Sequence, residues 1–173
     1  MRHLLLLLIT AVPFIGAAQG VNCADMDPIC TDQGASFTAN TGTTAEVGND
    51  YGCLSTQPNP SWYYFEISNA GAIDMSLTAP SDIDFIIYGP YPDLATAQGD
   101  CGTLDAGDIV DCSYSATANE TPSIPNAQVG EVYIMLITNY ANTVQNVSLT
   151  QTGGTGATDC SVVANPPCFM SYF

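Results

Sequence analysis

An antiparallel β-sandwich is the fold class this sequence predicts, and three observations carry the prediction. Strand-like runs rich in β-branched and aromatic residues recur along the chain, separated by Gly, Pro, Asn and Asp. No long segment beyond the N-terminus repeats its apolar residues at the helical period. Two runs, Asp82 to Tyr88 and Glu131 to Thr138, are apolar on both alternating faces, which places them inside a sheet covered on both sides.

Taken in order, residues 1–18 read as a signal peptide. Arg2 and His3 precede an apolar stretch broken by Pro13, and Gly16-Ala17-Ala18 supplies small residues for cleavage. Residues 19–160 then form one domain, and 161–173 form a tail. Cys23 and Cys30 sit in a coil rich in Asp and Pro, and short edge strands are expected at Ser36 to Asn40 and Thr43 to Val47. Trp62 to Ser68 is a strong strand by content, and Asn69-Ala70-Gly71 turns it into a second, Ala72 to Thr78, where Ile73, Met75 and Leu77 alternate with polar residues.

The stretch from Ser81 to Tyr91 organises the rest. Ile83, Phe85 and Ile87 share one face, while Asp82, Asp84, Ile86 and Tyr88 share the other. The strand therefore enters acidic and continues apolar on both sides, until Gly89, Pro90 and Pro92 stop it. Asp93 then caps a short helical turn ending near Gln98. Further strands are expected at Ile109 to Tyr114, at Glu131 to Thr138 and within Val144 to Thr152.

Charge narrows the function classes. The chain has no Lys, its one Arg and one His lie in the first 18 residues, and all 17 Asp and Glu lie beyond them. Without basic side chains nucleic acid is excluded as a partner, because phosphate contacts are carried by Lys and Arg. Serine or cysteine triads lack their base, and His-ligated metal sites lack their ligand. Carboxylate chemistry and oxygen-ligated cations, chiefly Ca²⁺, are left. Seven Cys after a secretory signal predict disulfides, secretion to the extracellular space or cell surface, and one thiol left over. No later run is long and apolar enough to cross a bilayer as a helix.

Asp82 and Asp84 are the first candidate site, since two carboxylates one strand-step apart repel unless they share a cation such as Ca²⁺ or accept hydrogen bonds from turn amides. The acidic loop of Asp100, Asp105, Asp108 and Asp111 is the second. It lacks the ligand spacing of an EF-hand and reads as a loop restrained by a Cys101–Cys112 bridge. The remaining pairings are expected to be Cys30–Cys53 and Cys23–Cys160, leaving Cys168 unpaired or intermolecular. Trp62 and Tyr91 are candidate ligand contacts through their aromatic faces.

Four motifs in this order, Trp62-Tyr-Tyr-Phe-Glu-Ile67, Ala72-Ile-Asp-Met-Ser-Leu77, Asp82-Ile-Asp-Phe-Ile-Ile-Tyr88 and Gly130-Glu-Val-Tyr-Ile-Met-Leu-Ile-Thr-Asn139, resemble the bacterial pre-peptidase C-terminal domains. The likeness extends to a cysteine-bearing variety of exported surface proteins through Tyr88-Gly-Pro90, Cys112-Ser-Tyr114 and Asp159-Cys160. It covers roughly Cys23 to Cys160. The resemblance implies a jelly-roll-like sandwich of about seven to nine strands, used as a non-catalytic module for adhesion or for binding glycan or protein, with Ca²⁺ in some relatives. The alternative is a structural subunit of a surface layer or fibre that contacts other copies of itself. A carboxylate-based hydrolase is the weakest of the three, because Asp82 and Asp84 sit on one strand and nothing else marks a substrate groove.

Overall fold

The computed structural model describes residues 19–164, so the signal-peptide reading of 1–18 and the reading of Cys168 fall outside the described residues. A single turn of 3-10 helix at Cys23–Asp25 is followed by β1 (Asp27–Pro28), β2 (Ala35–Thr38), β3 (Pro60–Asn69), β4 (Gly71–Thr78) and β5 (Asp84–Tyr91). Helix α1 (Leu94–Gly99) leads to β6 (Ile109–Ser113), β7 (Asn119–Glu120), β8 (Ser123–Ala127), β9 (Val132–Thr138), β10 (Asn146–Gly153), β11 (Ala157–Thr158) and a last turn, α2 (Ser161–Ala164). No helix among the described residues is long and apolar enough to cross a membrane.

These strands form two sheets. The first runs β1-β3-β9-β5-β6, with β11 pairing the far end of β3, and the second runs β2-β10-β4-β7, with β8 also on β4. All pairings are antiparallel except β1 with β3, where Asp27 and Pro28 lie parallel to Tyr63 and Tyr64. The expected edge strand at Thr43 to Val47 is reduced to one bridge, Thr44 to Pro58. Of its two apolar residues Ala45 is buried and Val47 is left exposed, so the segment follows the loop it crosses rather than a sheet.

The alternation in the chain sorts residues between two apolar layers. Tyr63, Phe65 and Ile67 of β3, Phe85 and Ile87 of β5, and Tyr133, Met135 and Ile137 of β9 point into the space between the sheets. There they meet Ile73, Met75 and Leu77 of β4 and Val147 and Leu149 of β10. Their neighbours Trp62, Tyr64, Ile86, Tyr88, Val132, Ile134 and Leu136 point outward into a second core. Both layers close because β5 and β9 pair from Asp84–Thr138 to Tyr91–Val132 in the middle of the first sheet.

The second core is roofed by loops and α1 rather than by a sheet. Leu54, Ala97 and Leu104 are buried in it beside Cys23 and Met26. Asp93 caps α1 by accepting from the Thr96 amide at 2.7 Å, as its position before the helical run predicts. Asn49 fastens two roof loops together, its Oδ1 accepting from the amides of Gly102 (2.7 Å) and Leu104 (3.2 Å). The Tyr88 hydroxyl donates to the Asp50 carbonyl at 2.8 Å, tying the central strand to the same roof. Where β5 bends beneath it, Gly89 has φ 142° and its missing Cβ would stand 2.6 Å from the Tyr133 ring, so a side chain has no room there.

Three disulfides hold this arrangement, and their pairing corrects the expectation at every position. Cys23 pairs with Cys101 rather than Cys160, Cys30 with Cys160 rather than Cys53, and Cys53 with Cys112 rather than Cys30. The reason is the roof. Because the loops before β3 and after β5 both fold back over the outer face of the first sheet, Cys53 reaches β6 and Cys101 reaches the N-terminal turn, with Cα atoms 6.1 and 5.5 Å apart. The bridges span 78, 130 and 59 residues, which in the chain-entropy model is worth about 4 kcal/mol or more for each. Peptide mapping without reduction is expected to recover these three linkages, and a Cys30→Ser/Cys160→Ser variant is expected to lose about 3–5 kcal/mol in denaturant titration.

Candidate functional site

Asp82 and Asp84 stand where β5 begins, at one end of the first sheet. Asp84 faces Thr138 of β9 in register, and the Asp82 carbonyl accepts from the Ala141 amide at 3.2 Å. The loop after β6 closes on the other side, where the Ser115 amide donates to Asp84 Oδ1 at 2.9 Å. Together with Tyr114, Ala116 and Tyr140 these residues line a cavity of about 200 Å³. Three separate stretches of the chain thus meet at the acidic entrance of the organising strand.

Asp84 is the unusual member. It is 1% exposed, and its second oxygen, Oδ2, has no hydrogen-bond partner. Asp82 Oδ1 and Thr138 Oγ1 are likewise buried without partners. Burial raises the Asp84 carboxyl to about 6, helped by repulsion from Asp82 and Glu120 and opposed by the Ser115 amide and, least of these, by the nearby Thr138 hydroxyl, which falls short of hydrogen-bond geometry. Desolvation raises Asp82 as well. Glu120 of β7 is buried near the same end, its Oε1 accepting from the Thr117 hydroxyl at 3.2 Å.

Over the two carboxylates stand two tyrosines from the flanking loops. Tyr114 and Tyr140 are 37% and 47% exposed, with ring centroids 5.8 Å apart and planes at 81°, an edge-to-face pair. The Tyr114 hydroxyl lies 3.1 Å from Thr56 Oγ1, in the loop that the Cys53–Cys112 bridge secures to β6. Interaction with Tyr114, and then the negative charge of Asp82 and Asp84, pushes the Tyr140 hydroxyl above its ordinary value.

A buried amide network fixes the Tyr140 loop. Asn139 is 1% exposed, and its Nδ2 donates to the carbonyls of Asn40 (3.0 Å) and Thr143 (2.8 Å) while its Oδ1 accepts from Gln145 Nε2 at 2.7 Å. Gln145 Oε1 in turn accepts from the Ser81 amide at 2.8 Å, the residue before Asp82. Asn59 completes the set by donating to the Asn139 carbonyl at 2.9 Å. These side chains position both walls of the cavity without lining it.

The other sequence candidates are placed elsewhere. Trp62 and Tyr91, expected as ligand contacts, are 0% and 4% exposed within the second core, so their rings serve packing under the roof. The four carboxylates of the acidic loop do not converge. Asp105 accepts from the Gly107 amide at 2.6 Å, Asp108 from the Asp105 amide at 3.3 Å, and Asp111 from the Ser123 amide at 2.7 Å, which accounts for these three of the four as turn and strand restraints. Among the described residues no group of three or more His, Cys, Asp or Glu comes together as a metal cluster.

With the fold and cavity in place, the class of protein is a disulfide-stapled β-sandwich with a small acid-and-tyrosine cavity at one end. Among solved structures the chain is similar to the pre-peptidase C-terminal domain of a collagenase from Bacillus anthracis, at 12% identity, over 73% of this chain and 94% of that one, with a TM-score of 0.46. No family model matches the chain, and no curated protein matches it.

Asp84 makes stability depend on pH in a defined direction. Its folded-state value lies above that of the unfolded chain, so the native protein binds the extra proton and stability falls as pH rises from about 4 to about 6. The change amounts to at most about 3 kcal/mol. Asp84→Asn is expected to remove this part of the pH dependence and to be the more stable protein at pH 7, as read by denaturant midpoints of the two proteins across pH 4–8.

Proposed function

We propose that this chain is a non-catalytic extracellular binding module, taking its ligand in the cavity between Asp82, Asp84, Tyr114 and Tyr140. The observation that carries the reading is the conjunction in one cavity of a half-exposed tyrosine pair and a buried carboxylate oxygen without a partner. Buried polar groups are as a rule satisfied, and an exception at a cavity wall is a place for a ligand's donor. Three long-range disulfides support an oxidising, extracellular setting.

Binding is favoured over chemistry by where the carboxylates stand. Glycoside hydrolysis needs two carboxyl groups flanking the scissile bond from opposite sides. Asp82 and Asp84 instead come from one strand entrance and share one wall. Calcium is the inorganic alternative for this pair, and it takes six to eight oxygens, of which two carboxylates are a part.

The test is retention of the purified chain on arrays of glycans and of extracellular proteins, with and without Ca²⁺, alongside Tyr140→Ala and Asp84→Asn. Retention that falls at least tenfold in both variants is the expected result. Retention indifferent to both places the binding surface elsewhere, and large assemblies on size exclusion that form equally well in both variants favour the structural subunit.

A further inference from the structure

We propose that the group recognised in this cavity is a primary alkylammonium, as carried by a lysine side chain of a partner protein. The inference rests on the binding reading above and names its ligand class. Asp84 is 99% buried, lines the cavity and keeps Oδ2 unpaired, while Asp82 presents a second unpaired oxygen, Oδ1. A group that satisfies both must donate more than one hydrogen bond from one small centre, and an ammonium carries three donors. A quaternary ammonium carries none, and a guanidinium spreads its donors over a wide plane.

Charge points the same way. Two carboxylates sit in a poorly solvated corner, with Glu120 of β7 repelling from behind and no side-chain cation anywhere beyond residue 18 to neutralise them. The cation therefore has to come from outside the chain. The Tyr114 and Tyr140 rings at the mouth add an aromatic face of the kind that attracts cations. Thr138 on β9 and the Ser115 amide, the remaining polar groups around Asp84, bring no charge of their own.

Size separates this ligand from a glycan. The cavity holds about 200 Å³, below the roughly 300–1,000 Å³ of pockets that enclose whole small molecules. It suits the end of one flexible side chain whose apolar stem lies along the tyrosines while its charged head reaches the carboxylates.

The experiment titrates the whole chain with a Lys-containing peptide, the same peptide with that Lys acetylated, an Arg-for-Lys version, a chitooligosaccharide and CaCl₂. Amide NMR shifts at Asp84, Ser115 and Tyr140 locate binding. The expected result is shifts at these residues with the Lys peptide alone, lost on acetylation and at least tenfold weaker in Asp84→Asn and in Tyr140→Ala. Asp74→Asn, which removes the same charge from the exposed face of β4, controls for the general acidity and is expected to bind as wild type. Affinity is also expected to fall as pH drops below about 6, where Asp84 takes up a proton. Shifts at the cavity with the saccharide or CaCl₂ and none with the Lys peptide would overturn the ammonium assignment while leaving the cavity as the binding site. No shift at the cavity with any probe overturns both, and equal weakening in Asp74→Asn reduces the effect to bulk electrostatics.

Discussion

The structure depends on a pair of adjacent strands, β5 and β9, that are apolar on both faces. Such a pair cannot lie at the surface of a two-layer protein, because one face or the other would be left in water. The chain meets this demand twice over. One face packs on the second sheet, and the other receives a roof of loops, a short helix and two sulfur bridges.

The same constraint creates the cavity. An apolar strand that begins with two aspartates has to bring them toward the interior at its entrance, where neither full hydration nor a salt bridge is available. Asp84 is left half satisfied by the Ser115 amide, and its carboxyl drifts toward neutrality. A network of neutral amides around Asn139 holds the neighbouring loops without lending a charge. What results is a concentrated negative potential behind two exposed rings.

How much of this was legible in the sequence varies with the physics of each part. The strands and their faces were readable because alternation is local: Ile83, Phe85 and Ile87 fall in one core, Ile86 and Tyr88 in the other, as spacing predicts. Asp82 and Asp84 stood out because carboxylates are anomalous on such a strand. Tyr114 is marked in the sequence only as the end of a strand and of a Cys-Ser-Tyr motif, and Tyr140 not at all, since they lie on loops brought together by strand pairing across a sheet. Trp62 and Tyr91 read as contacts in the sequence because the roof that buries them is tertiary. The sulfur pairings were out of reach for a related reason, as six cysteines allow fifteen connectivities and the loop paths that choose among them are tertiary.

That pattern of bridges has a consequence for how the molecule opens. Of the six bonded cysteines only Cys112 belongs to a strand, so no sulfur staples one sheet to the other. The sheets adhere chiefly through apolar side chains, with the Ser123 amide on Asp111 as a polar link, while the Cys23–Cys101 and Cys53–Cys112 bridges lock down what covers the outer face of the first. Reduction therefore frees a subglobal unit, the roof, and wets Trp62 and Tyr88 while the double layer beneath keeps its amide protons shielded from exchange. In an oxidising medium that unit is fastened, and the tyrosine-bearing loop anchored through Cys112 stays set in place.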